Sequence, residues 1–100
     1  MKLRESSPWI QVEYVRSFSA LGKLQKAHSV RYRLRQEQDC CQISLEQTEP
    51  DAHVRSERML LYCSGEAGHR MLVFLYENAV HMENWKELVA ELLPEGVIGE

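Results

Sequence analysis

Toward the C-terminus, Met82, Trp85, Leu88, Val89, Leu92 and Leu93 recur at intervals of three, three, one, three and one, with Glu83, Lys86, Glu87 and Glu91 between them. That spacing gathers the apolar side chains on one face of a helix and the charges on the other. A helix this short is marginal alone, so its stripe demands a second surface to cover. Asn84 with Glu87 three residues later reads as a capping pair, and Pro94 and Gly96 close the segment.

The segment just before it, residues 64–78, reads as a second helix. Ser64 suits the N-cap, and Glu66 places a negative charge at the positive end of the helix dipole. Its buried stripe is expected at Ala67, Met71, Phe74 and Leu75, with Val73 and Tyr76 at the border. A hairpin competes, with residues 58–63 and 69–77 as strands around the glycine-bearing 64–68, because 71–76 are apolar at every position. The helix formers Ala67, Met71, Leu72, Leu75 and Glu77 favour the helix.

The surface for these helices to cover is a sheet. In 29–35, Val30, Tyr32 and Leu34 share one face while Arg31, Arg33 and Arg35 share the other. After a polar turn at 36–39, residues 40–47 answer with Cys41, Ile43 and Leu45 inward, and the two segments form a hairpin. Residues 9–15 alternate as a half-buried strand with Ile10, Val12 and Tyr14 on one side. Residues 58–63 form a short apolar strand after an exposed loop that carries Pro50 and Asp51 and runs to about Glu57. Residues 16–27 fit either a helical turn or a wide loop. The expected fold is α+β, a small mostly antiparallel sheet of three or four strands covered on one face by two C-terminal helices. One domain spans 1–100, with 1–8 and 95–100 as loose tails.

No run approaches the roughly 18 apolar residues of a membrane span, and the N-terminus lacks the apolar core of a signal peptide. Three cysteines, two of them the adjacent Cys40 and Cys41, make a poor disulfide framework. A reducing cytoplasm is the expected compartment. The net charge of −3 is uneven: residues 1–39 hold eight Lys/Arg against four Asp/Glu, and 40–100 hold four against eleven. Such a dipole orients self-association or is neutralised within the fold.

The order of a hairpin with YRLR and CQISLEQ, a short apolar segment, then LYENAV and ENWKELVAEL resembles a family of small uncharacterised proteins from clostridial bacteria. The likeness covers about residues 30–93. It implies a bacterial cytosolic origin and no activity.

Several side chains are candidates for chemistry. Cys63 and His69 lie six apart around 64–68, where a thiol at a helix N-terminus with a nearby base fits a Cys-dependent enzyme or ligand binder. Neither an orienting group nor an oxyanion donor can be placed beside them. His28, His53, His69 and His81 show no paired metal-ligand spacing such as CxxC or HxxxH, so no metal is expected, and no cofactor motif occurs. Arg31, Arg33 and Arg35 along one strand face, with Lys23 and Lys26 upstream, could track the phosphates of nucleic acid or a nucleotide. No aromatic residue interleaves with them, and pairing with Glu46, Glu37 or Asp39 would use the same charges structurally. Trp9 and Trp85 are expected core anchors.

The favoured reading is a non-enzymatic interaction or regulatory module that binds an unknown protein partner or self-associates through an open sheet edge. The alternatives are phosphate binding through Arg31, Arg33 and Arg35, and the Cys63/His69 site.

Overall fold

A computed structural model of the chain describes residues 11–23, 25–36, 40–51, 53–93 and, for the backbone alone, 97–99. Four long strands, β1 (Gln11–Phe18), β2 (His28–Gln36), β3 (Cys41–Thr48) and β4 (Val54–Leu61), precede helices α1 (Gly65–Glu77) and α2 (Trp85–Leu92). A three-residue strand β5 (Val97–Gly99) comes after them. The sheet runs in sequence order β1-β2-β3-β4-β5, each neighbour antiparallel. The fold is therefore α+β as expected.

The alternating strands produce the two-sided sheet directly. Val30, Tyr32 and Leu34 of β2 and Cys41, Ile43 and Leu45 of β3 are buried, joined by Met59 and Leu61 of β4. Helices cover that face alone: Met71, Leu72 and Leu75 of α1, then Met82, Trp85 and Val89, complete the core.

Several boundaries differ from the sequence expectations. β1 runs on to Phe18, because Arg16 and Phe18 continue the inward alternation of Val12 and Tyr14. Beyond Phe18 the chain loops through a turn at Gly22 and forms no helix among the described residues before β2. β4 begins at Val54 rather than Arg58, since backbone pairing with β3 from Thr48↔Val54 onward holds residues with no apolar alternation. The turn ahead of it is tight: Glu49 N–H donates to His53 O at 2.9 Å, and Asp51 Oδ1 accepts from His53 N–H at 3.0 Å. The C-terminal end is not wholly loose, because Val97–Gly99 pairs with Leu60 and Leu61 as a fifth strand. The expected tail at 1–8 and Trp9 lie outside the described residues.

Residues 65–77 are helix, and the hairpin alternative falls. Ser64 caps them as expected, its hydroxyl accepting from Ala67 N–H at 3.1 Å. At the other end Val80 N–H reaches Leu75 O and Ala79 N–H reaches Tyr76 O, with Ala79 at φ 51°. That is a Schellman closure with alanine where glycine is usual. At α2, Asn84 occupies the N-cap, but its side chain makes no capping hydrogen bond.

The buried face of α1 is Gly68, Met71, Leu72 and Leu75, so Phe74, expected inside, is 38% exposed. Leu92, expected inside on α2, is exposed too. Both stripes obey helical spacing, and Gly68 decides between them on α1. A Cβ there would stand 2.8 Å from Cys41 Sγ and 3.2 Å from Leu34 Cδ1, so only glycine lets the helix approach β2 and β3 this closely. Gly68→Ala is expected to lower stability by about 1–2 kcal/mol in denaturant unfolding, overpacking outweighing alanine's helix propensity. Adding Cys41→Ala should make the Gly68→Ala step less costly, because it removes the sulfur the new methyl meets.

Candidate interaction surface

β1 is an edge strand, and pairing on its inner side with β2 runs from Gln11↔Arg35 to Phe18↔His28. Among the described residues its outer side pairs with nothing; at the opposite side of the sheet β5 pairs only with Leu60 and Leu61, so the outer side of 54–59 of β4 is open too, but that stretch carries Arg55, Glu57 and Arg58. Long open edges invite another strand unless proline, lysine or projecting charge guards them. QVEYVRSF contains neither proline nor lysine, and both of its charges are turned onto the domain itself.

Glu13 lies on the uncovered face beside β2. Its Oε1 accepts from Arg33 Nε at 3.0 Å, and its Oε2 stands 3.2 Å from Arg31 Nε. Arg31 also donates from Nη1 to Glu46 Oε1 at 3.1 Å across β2 and β3. Two of the three arginines singled out in the sequence are thus tied into a strand-to-strand ion-pair row. All these side chains keep substantial solvent contact, so the row orients them more than it stabilises the fold. Arg35 sits at the exposed end of the same face, and Arg58 lies opposite Ser44 on β4.

Arg16 points the other way, toward the helices. Its Nε donates to Tyr76 O at 2.9 Å, and its guanidinium carbon stands 4.7 Å from the Tyr76 ring centroid. Tyr14 stacks on Tyr76 at 5.1 Å between centroids and its hydroxyl lies 2.9 Å from His69 Nε2. Phe18 stacks on His28 at 4.6 Å and leans on His81 at 4.8 Å. β1 is therefore clamped to α1 and to the segment before α2 by half-buried aromatic residues. None of these pairings is visible in local sequence, because Tyr14 and His69 are 55 residues apart.

That partner matters for the thiol candidate. A cleft of about 270 Å³ between sheet and α1 is lined by His69, Val12, Leu34, Gln36, Gly65 and Glu66, with Cys63 absent from its wall. Cys63 instead sits beside Cys41, whose thiol donates to Cys63 O at 3.6 Å and Ser64 O at 3.4 Å. Burial pushes the Cys63 thiol up from its ordinary value, opposite to the lowering expected of a nucleophile at a helix start. Among the described residues no three His, Cys, Asp or Glu side chains are grouped to hold a metal ion, and no helix is long and apolar enough to cross a membrane.

No protein-family model, curated protein or solved structure matches the chain.

Proposed function

We propose that this chain is a non-enzymatic interaction module of a reducing, cytosolic compartment, and that its working surface is the outer edge of β1. The observation that carries this is the disposal of charge on that strand. Glu13 is bound by Arg31 and Arg33, and Arg16 by Tyr76, so the side chains that would repel an incoming strand are held on the domain itself. Unpaired cysteines accord with the compartment.

A second reading, phosphate binding by Arg31, Arg33 and Arg35, draws support from the uncovered face, where Arg58 adds a further cation. It is the weaker of the two, because a phosphate would have to compete with Glu13 and Glu46 for two of the guanidinium groups.

One NMR experiment separates them. In dilute protein the β1 amides pointing away from β2 should exchange rapidly while those bonded to β2 stay protected. Uniform protection along β1 that does not fall on dilution would mean that the edge is already covered within the chain, and the module reading fails. Adding a single-stranded oligonucleotide at low salt should leave Arg31, Arg33 and Arg35 unshifted. Shifts there that vanish at high salt would move the assignment to nucleic acid.

A further inference from the structure

We propose that the partner of the β1 edge is a second copy of this chain, paired antiparallel about a two-fold axis at Val15 so that two sheets become one. This rests on the interaction-module reading and names its partner.

An antiparallel pairing of two identical edges that continues the sheet keeps both helix layers on the same side. Residues facing each other across the junction must then point to the same face. The axis therefore passes through a residue and not between two residues, because the side-chain period is two.

Four positions in the middle of β1 remain as axes. An axis at Glu13 sets Glu13 against itself, and one at Arg16 sets Arg16 against itself, both like-charge contacts. An axis at Tyr14 opposes Val12 to Arg16 and Glu13 to Val15, apolar against charged in each case.

The axis at Val15 matches at every row. On the uncovered face Val15, 47% exposed in the single chain, meets Val15 of the second copy, and Glu13 meets Ser17. On the helix-side face half-buried Val12 meets half-buried Phe18. Tyr14 meets Arg16, placing a second aromatic ring beside a guanidinium already held over Tyr76. One exposed valine is ordinary on a surface. Its position at the only axis without a charge mismatch is what gives the edge self-complementarity.

Sedimentation velocity of the full chain over micromolar to near-millimolar concentrations tests the pairing, with the variants Val15→Lys and Val15→Glu. Val15 points off the uncovered face, so both variants should keep the wild-type far-UV spectrum. Wild type is expected to show a concentration-dependent dimer. Each variant alone should weaken it about fivefold through like charges on the axis, and an equimolar mixture of the two should restore it as a heterodimer. Isotope-filtered NMR on a mixed-label wild-type sample should show contacts between Val12 of one copy and Phe18 of the other, independently of any substitution.

A wild-type monomer throughout overturns the proposal. So does a dimer that both variants leave intact, or a weakened dimer that the mixture does not rescue. None of these results removes the interaction-module reading, which stands or falls on the exchange pattern of the β1 edge in dilute protein.

Discussion

Trp85→Ala is expected to lower the unfolding free energy by about 3–5 kcal/mol, a large share of the roughly 5–15 kcal/mol typical of a domain. Trp85 is fully buried and, with Val89, is one of the two fully buried residues of α2, while Leu88 and Ala90 pack partly buried beside them. A helix of eight residues has little stability of its own, so removing its principal anchor should release the helix as well as leave a cavity. The indole also donates from Nε1 to Glu57 Oε1 at 3.1 Å. Glu57 in turn holds Arg55 at 3.2 Å, and Arg55 reaches Glu83 at 3.4 Å, a chain that ties β4 to the start of α2. Trp85→Phe keeps most of the apolar body and isolates the donor. It should cost about 1.5–3 kcal/mol, the range for a hydrogen bond to a charged group. Denaturant unfolding by circular dichroism reads both variants. If Trp85→Ala costs no more than Trp85→Phe, the burial of the ring is not what holds α2.

Alkaline pH is expected to unfold the protein steeply, and buried acids supply the slope, Cys41 and Tyr32 foremost. Burial pushes the Cys41 thiol from 9.0 to about 12, with the neighbouring Cys63 adding to the rise. Burial likewise pushes the Tyr32 hydroxyl from 10.0 to about 12, opposed by nearby Arg16. In both groups the folded value lies above the unfolded one, so folding favours the protonated forms. Their contribution is intact below about pH 9 and disappears as pH rises toward about 12. Each group adds about 1.4 kcal/mol per pH unit while it is ionised in the unfolded chain and neutral in the folded one. Stability measured from pH 8 to 12 should therefore fall first as Cys41 and the likewise raised Cys63 ionise in the unfolded chain, and more steeply once Tyr32 joins them. Tyr32→Phe and Cys41→Ala should each remove one proton's slope from that limb. Tyr32→Phe should also cost about 0.5–1.5 kcal/mol at neutral pH, because the hydroxyl donates to Val80 O at 2.9 Å and anchors the link between the helices. An alkaline limb of unchanged slope in both variants would rule out these two groups as its source.

The site was less legible in the sequence than the fold. Arg31, Arg33 and Arg35 stood out because alternation places them together, and pairing of Arg31 with Glu46 came with the hairpin. Glu13 did not, since nothing local says that residues 11–18 lie beside β2 in a register that sets Glu13 opposite Arg33. Cys63 and His69 drew notice through nearness in sequence. The folded chain gives each its own partner, Cys41 for one and Tyr14 for the other.

Amino-acid order alone determined the elements whose burial repeats with their own period. Val30, Tyr32 and Leu34, then Cys41, Ile43 and Leu45, specify a hairpin with one wet face, and Ser64 specifies where a helix starts. Tertiary structure decided whatever two periods satisfied equally or none satisfied. α1 turned Leu72 rather than Phe74 inward, because Gly68 permits close contact with Cys41 and Leu34. Val54 and the polar residues after it became strand because β3 offered backbone partners. Glu13 and Arg16 of β1 found their partners only when distant residues came close. Local spacing encodes which side chains share a face; which face meets which is set by contacts that exist only once the chain is closed.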